Sequence, residues 1–526
     1  MTIPRPLSVD MRALLLCFFA VLARLPVGRT KTLVEPSRCT ENKDDGEICE
    51  EGAVSGVCFY KKCFIASPSG RKLIIKVRYP VHNPHFVASQ ANLTTLWLRG
   101  NGLGLTWNKG RRMKKSTETD TWELLLEFTV HSALLSTQTS KDPLGRFEFR
   151  VYLEDRVNML GANFVLPLPP STNTLERNND VPSISFYPWF YSKTGTLIEN
   201  RRIYSPALKQ TRNITVYKPA SFSENTYKKY ETLFVNDGQR LKYVVAQVDN
   251  LAVTRALLKE VLLVGVVNDF VERTHLLAPS NGSNAVCKGG SNWNMCNNCL
   301  LCTTGSRCSY QKLIDDYRRC YRWVPIPSVR GQRYLDFIQN TLIPDSQNSY
   351  RATPGAANVG IMGFSFGGLV ACHAMWTRPQ TFGSAACMSP SLWWPFPENA
   401  TFPGDARYEF LTSTLREHRG VRPRQKVYID VGSDEGYIMV APARNASRML
   451  ANSSYFKLNE NLWFYEWNEQ DHNYKRVLER VWAPLLALYG AEGSPNAESN
   501  VTNMASSQTQ HIVCILGVFL VFLGNR

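Results

Sequence analysis

From about residue 185 to residue 490, short apolar runs alternate with helix-like segments. The runs are "RNITVYKP", "TLFVND", "EVLLVGVV", "VGIMGF", "GSAACMSP", "KVYIDVG" and "LWFYEWN". Between them lie stretches such as "GQRYLDFIQNTLI", "GGLVACHAMWT" and "NYKRVLERVWAPLLALYG". Apolar runs without polar alternation are strands buried on both faces. Parallel neighbours need a crossover, usually a helix. Residues 185–490 are therefore expected to form an α/β domain, a doubly wound sheet with helices on both faces.

The rest of the 526 residues divides into smaller pieces. Residues 31–68 hold Cys39, Cys49, Cys58 and Cys63 among Gly and charged turns. So short a segment needs bridges to fold, and it reads as a disulfide knot. Residues 69–172 carry "KLIIKVRY", "LTTLWLRG", "TWELLLEFTV" and "RFEFRVYLED", β-branched and aromatic runs with turn residues between them, the pattern of an all-β sandwich. A Pro/Asn-rich stretch, "LPLPPSTNTLERNNDVP", reads as the link to the α/β part.

Both ends point to export. "ALLLCFFAVLA" after Met11–Arg12 is too short to span a bilayer and fits a signal peptide within residues 1–30, with Val21 and Ala23 at a cleavage pattern. Seven N-x-[ST] acceptors agree with a secretory route: Asn92, Asn213, Asn281, Asn399, Asn445, Asn452 and Asn500. Residues 491–526 pair a polar, small-residue spacer with the apolar "IVCILGVFLVFLG", the form of a glycolipid-anchor signal, with Asn503 and Ala505–Ser507 as attachment candidates. A short membrane-associated tail is the alternative. The net charge of +16 raises the question of nucleic acid, but the densest basic cluster, "KGRRMKK", is interrupted by Gly and Met. It reads as a solvated surface, and no nucleic-acid partner is expected.

A second cysteine block, Cys287, Cys296, Cys299, Cys302, Cys308 and Cys320, lies in an insert at 280–330. In an exported chain an even, compact block suggests disulfides; the C-x2-C-x2-C run could instead hold a metal, and no metal site is assigned. Cys372 and Cys387 stand apart in apolar stretches and read as core thiols that could pair.

"IMGFSFGGLV" places Ser365 between Gly363 and Gly367. That spacing arises by chance in about one chain of this length in six. Context gives it weight, because a strand-like run precedes it and a helix-like run follows. A serine on such an elbow stands above the sheet, facing the helix N-terminus, with glycines where side chains would collide. A serine hydroxyl needs a base and an orienting acid. In chain order the acid candidates are Asp434 and Glu435, just past "KVYIDVG", and the base is His472, before the last helix. Asp430, inside that strand, reads as structural.

At these residues the chain resembles the putative-esterase branch of the α/β-hydrolases, which includes enterochelin, feruloyl and acetylxylan esterases and mycolyltransferases. The matching stretches run from "RNITVYKPASF" through "TLFVNDGQ", "VGVVNDFVERTHLLAP", "VGIMGFSFGGLVACHAMWTRPQTFGSAACMSPSLWW" and "VYIDVGSDEG" to "DHNYKRVLERVWAPLL". The resemblance implies Ser365, Asp434 and His472 as nucleophile, acid and base, with the backbone N–H groups of Phe366 and Gln239 as the oxyanion hole. The Cys-rich insert departs from the family pattern and suggests a lid or wall over Ser365, or a remote decoration. Upstream, "LWLRGNGLGLTWNKGRRMKK", "TWELLLEF" and "FEFRVYLEDRVNMLGANFVLPL" resemble starch-binding-type carbohydrate modules. That resemblance implies that Trp97, Trp107 and Trp122 stack on sugar rings, where core packing is the other reading.

The function expected is a secreted or surface-anchored serine esterase without cofactor. It would act through an acyl-enzyme on a carboxylic ester, carbohydrate-linked or siderophore-like. An acyltransferase of the same fold and an inactive surface binding protein are the alternatives.

Overall fold

The computed structural model describes residues 71–80, 95–128, 146–167, 181–269, 272–280, 328–394, 425–453 and 455–491, together with the strand segments 48–51, 54–59, 62–65, 176–178, 282–287 and 321–326. The chain divides into two compact units, residues 1–69 with 129–131, and the remainder. In the first unit β1 (Ile48–Glu51), β2 (Val54–Phe59) and β3 (Lys62–Ile65) form an antiparallel sheet, with Cys58 opposite Cys63 in register. Cys39 and the side chains of Cys49, Cys58 and Cys63 lie outside the described residues.

The second unit begins with two five-stranded sheets. One contains β4 (Arg71–Arg78), β7 (Lys114–Lys115), β8 (Thr121–Phe128), β12 (Glu176–Asn178) and β13 (Val181–Phe186). The other contains β5 (Leu96–Gly100), β6 (Arg111–Arg112), β9 (Arg146–Leu153), β10 (Val157–Asn158) and β11 (Phe164–Pro167). Side chains alternate across each strand, so Leu73, Ile75 and Val77 of β4 share one core with Phe147, Phe149 and Val151 of β9. The stretch read from sequence as a link supplies β12 and β13, and β13 pairs in parallel with β4. Phe186 and Phe190 belong to the same core, so this β-part runs past residue 172.

The α/β part has eight strands: β14 (Thr196–Ser205), β15 (Gln210–Lys218), β16 (Glu231–Asn236), β17 (Val261–Val266), β20 (Val359–Phe364), β21 (Ser384–Met388), β22 (Lys426–Gly432) and β23 (Leu462–Trp467). Their spatial order is β14-β15-β17-β16-β20-β21-β22-β23. The β14–β15 and β15–β17 pairs are antiparallel and every later pair is parallel. β16, β17, β20 and β21 carry apolar cores on both faces, as their unbroken runs require. Phe234 packs on one face, Leu233 and Val235 on the other. The flanking helices include α1 (Arg273–Leu277), α2 (Gly331–Phe337), α3 (Phe366–Thr377), α4 (Tyr437–Ala451), α5 (Tyr474–Arg480) and α6 (Trp482–Tyr489). A mostly parallel sheet with a strand–serine–helix turn at its centre is the α/β-hydrolase fold.

The remaining pair, β18 (Gly282–Cys287) and β19 (Tyr321–Ile326), is antiparallel and sets Cys287 opposite Tyr321. The residues it brackets, with Cys296, Cys299, Cys302, Cys308 and Cys320, lie outside the described residues, as does the expected lid. Cys372 of α3 and Cys387 of β21 are joined in a disulfide, with Cα atoms 5.7 Å apart.

The β-part and the α/β part meet at a polar clamp. The buried Glu224 accepts from Tyr79 Oη at 3.0 Å and from the backbone N–H groups of Phe190, Tyr191 and Ser192 at 2.6–3.0 Å. Asn225 Nδ2 donates to the carbonyls of Arg78 and Pro188. A buried carboxylate is tolerable when its lone pairs are filled in this way.

Of the tryptophans expected on sugar, Trp122 is 2% exposed and sits in the sandwich core, where no ring can stack on it. Trp97 is half-buried and Trp107 is 39% exposed. Among the glycosylation candidates, Asn213 and Asn452 are exposed and Asn445 half-buried. Asn92, Asn281, Asn399 and Asn500 lie outside the described residues, as do residues 1–30 and the tail beyond 491. No helix among the described residues is long and apolar enough to cross a membrane.

Candidate active site

Ser365 ends β20 and caps α3 with φ 59° and ψ −118°, a conformation that L-residues rarely adopt. Three backbone bonds hold it there: its N–H donates to Met388 O at 3.0 Å, and its carbonyl accepts from Leu369 N at 2.9 Å and from Ser391 N at 3.2 Å. A Cβ on Gly363 would sit 2.5 Å from the Gly367 backbone. At Gly367 the nearest contact is Asn236 Cβ at 3.2 Å, looser than at Gly368, where a Cβ would meet Met388 O at 2.8 Å. The third glycine of the run is thus, like the first, a position where a Cβ would meet backbone closer than 3.0 Å.

His472 lies between β23 and α5, with Nε2 3.0 Å from Ser365 Oγ and Nδ1 2.8 Å from Glu435 Oε2. The imidazole packs on Phe364, ring centroids 4.5 Å apart. Glu435 is buried, and burial alone would raise its pKa. The hydrogen bonds from His472 and Ser389 and the charge of Arg480 outweigh that and hold it below the usual glutamate range. An ionised carboxylate only accepts, so Nδ1 carries a proton, and in the neutral imidazole Nε2 is then the nitrogen that accepts from Ser365.

Asp434, the acid that the resemblance implies, does not reach the histidine. It is exposed, accepts from its neighbour Ser433 Oγ at 3.0 Å, and is held through its N–H to Gln470 O. Residues 433–435 form a single 3-10 turn, in which consecutive side chains point about 120° apart. One step along that turn moves the carboxylate from the surface to the interior.

Behind Glu435 is a buried polar cluster. Ser389 Oγ donates to Glu435 Oε1 at 2.5 Å, and Arg480 Nη2 donates to Ser389 Oγ at 2.5 Å and to Glu435 Oε1 at 3.2 Å. Arg480 also forms an ion pair with Asp430 at 3.2 Å and donates to Gln470 Oε1. Asp430 accepts in addition from Ser389 N, Tyr428 Oη and Trp467 Nε1, the structural role that its place inside the strand suggested. Two carboxylates against one guanidinium leave one net negative charge beside His472.

On the other side of the elbow, Asp237 follows β16 in the left-handed region, φ 61°. It pairs with Arg273 of α1 at 2.7 Å and accepts from Tyr474 Oη at 2.6 Å. Arg273 also donates to Phe364 O at 2.8 Å, and Asn236 Nδ2 to Gly367 O at 2.8 Å. These bonds tie the turn carrying Gln239 and the start of α5 to the elbow. Gln239 lies in the 3-10 turn Gly238–Tyr243, its side chain paired with the Asn268 backbone, and Phe366 is the first residue of α3. Sequence reasoning missed Asp237, Arg273, Ser389, Ser391, Tyr474 and Arg480 as participants. All lie inside stretches that carry the family resemblance, but nothing in residue type separates them from ordinary polar positions.

Residues 312–487, which include Ser365, Glu435 and His472, match the family described as "Putative esterase". A siderophore triacetylfusarinine C esterase of Aspergillus fumigatus is 37% identical over 89 residues, 16% of this chain and 30% of that protein. A siderophore enterobactin esterase of Emericella nidulans is 29% identical over 135 residues, 24% of this chain and 45% of that protein. The chain thus spans less than half the length of these curated relatives. Among solved structures, a ferulic acid esterase is 15% identical with a TM-score of 0.37, over 56% of this chain and 98% of that one. The enterobactin esterase FES of Shigella flexneri is 14% identical with a TM-score of 0.38, over 80% of this chain and 94% of that one.

Proposed function

We propose that this chain, whose α/β domain is a member of the putative-esterase family, is a serine carboxylic ester hydrolase. The observation that carries this reading is the unbroken hydrogen-bond chain Ser365 Oγ, His472 Nε2, His472 Nδ1, Glu435 Oε2, set on a strained elbow. Ser365 Oγ attacks the ester carbonyl as His472 takes its proton. The imidazolium then protonates the leaving alcohol, and water deacylates the enzyme by the reverse route. Glu435 fixes the imidazole tautomer and balances its charge. The N–H groups of Phe366 and Gln239 are assigned to the tetrahedral oxyanion.

The names of the two fungal relatives make ester-linked siderophores the first substrates to test, ahead of carbohydrate-linked esters. The signal-like N-terminus and the N-x-[ST] acceptors support action on the secretory route, with a lipid anchor as the proposed membrane attachment. A fluorophosphonate probe tests the nucleophile. Wild-type protein is expected to label and Ser365→Ala not to. An unlabelled wild type, or equal labelling of the two, overturns the reading. A panel of siderophore, feruloyl and acetyl esters then ranks substrates by kcat/KM.

A further inference from the structure

Two serines follow β21, one on each side of Pro390, and they meet opposite ends of the site. Ser389 Oγ contacts the acid, Glu435 Oε1, at 2.5 Å. Ser391 Oγ lies 3.2 Å from Ser365 Oγ, and Ser391 N donates to the Ser365 carbonyl at 3.2 Å. Ser391 is 2% exposed, so its hydroxyl is held out of water. Ser389 has φ 39°, in the left-handed region, which turns the chain so that its two serines diverge.

Proton bookkeeping fixes the direction of the Ser365–Ser391 contact. Glu435 accepts from Nδ1, so in the neutral imidazole that serves as base Nε2 is the acceptor, and the Ser365 proton is committed to it. The Ser365 hydroxyl has no second proton to give. At 3.2 Å the remaining donor is the Ser391 hydroxyl, directed at a lone pair of Ser365 Oγ. We propose that Ser391 is a further catalytic residue of the site, donating a hydrogen bond to Ser365 Oγ that strengthens whenever negative charge develops on that oxygen. This rests on the serine-nucleophile reading above.

Charge develops on Oγ twice. During acylation the Ser365 proton moves to His472 Nε2 while the Oγ–acyl bond forms. During deacylation water adds to the acyl carbon, the Oγ–acyl bond breaks, and Oγ leaves with the electron pair before His472 returns a proton. In the acyl-enzyme between these steps, Oγ is an ester oxygen and a poor acceptor, so the bond from Ser391 weakens. A bond stronger at the two transition states than in the states between them raises kcat more than it lowers KM.

Ser391→Ala removes the donor with little change in volume. The expected result is a fall of about tenfold in kcat and in the rate of fluorophosphonate labelling, with KM within about twofold. Ser391→Thr keeps a hydroxyl and is expected to recover most of the loss. Thermal unfolding of each variant controls for folding. Should Ser391→Ala unfold early, Ser391→Cys, a weak donor of similar size, is read in its place and is expected to show the same loss. Labelling and kcat in the alanine variant within twofold of wild type overturn the proposal while leaving Ser365 as nucleophile. An equal loss in the threonine variant, with normal folding, overturns it as well. A wild type that does not label at all overturns the nucleophile reading, and this proposal with it.

Discussion

His472 Nδ1 lies 2.8 Å from Glu435 Oε2, while the carboxylate of Asp434, one residue earlier on the same turn, faces Ser433 at the surface. The longer glutamate side chain enters from the interior side of the turn and is gripped there by Ser389 and Arg480. Glu435 is therefore held from behind as well as by the histidine, whose other ring nitrogen reaches Ser365.

Exchanging the two carboxylates separates their roles. Glu435→Gln keeps the size but removes the charge that stabilises the imidazolium, and kcat/KM is expected to fall by about 10² to 10⁴. Asp434→Asn is expected to stay within about threefold, because its exposed carboxylate touches neither His472 nor Ser365. Steady-state kinetics on one activated ester measures both. The opposite ranking would return the role to Asp434.

Arg480 is 1% exposed and stands between Asp430 and Glu435, both buried. Replacing it by Met leaves two carboxylates in the interior with no cation between them. Stability is expected to drop by about 3–5 kcal/mol, the usual result of removing one partner of a buried ion pair. Urea unfolding measures it. Arg480→Lys retains the charge but cannot reach Asp430, Ser389 and Gln470 together, so an intermediate loss is expected.

The strand pattern and the elbow were legible because burial on both faces leaves unbroken apolar runs, and because a strand–serine–helix turn leaves glycines around Ser365. The choice between Asp434 and Glu435 was not, since it depends on the phase of one 3-10 turn against the sheet, and adjacent acids look alike in sequence. The reach of the β-part was hidden for a related reason. β13 lies between β12 and β4 in the sheet, yet its Pro and Asn neighbours resemble a link. Trp122 and Trp107 share a residue type, but Trp122 lies on β8 and faces the core, while Trp107 lies in the connection between β5 and β6, a difference that residue type alone leaves open. The Cys372–Cys387 bridge joins residues that meet only once α3 packs on β21.

The depressed pKa of Glu435 carries a stability consequence with a definite sign. Its folded value lies below its unfolded one, so its contribution is fully present above the unfolded value and is lost as pH falls through the folded value. Asp430 has the opposite shift: burial raises its pKa in spite of Arg480, so it does not add to the acid-side loss. The stability gap between wild type and Glu435→Gln is expected to narrow as pH falls below the ordinary glutamate value of about 4.3. Thermal melts at stepped pH follow it. A gap that widens on acidification would mean that Glu435 is protonated in the folded protein.

The bridge between Cys372 and Cys387 closes a loop of sequence separation 15 and ties α3 to β21. For a loop of that length the chain-entropy contribution is about 3 kcal/mol. Both sulfurs are fully buried, so reductant should reach them only through unfolding. The double variant Cys372→Ala/Cys387→Ala is expected to unfold earlier in denaturant by about that amount. Its kcat should stay within a few-fold, because Ser365 N to Met388 O and Ser391 N to Ser365 O still hold the elbow to β21. Non-reducing peptide mapping of the wild type should recover the two cysteine peptides linked. Finding them as free thiols in folded, active protein would remove the bridge and the stability difference together, and would leave the two residues as ordinary core thiols.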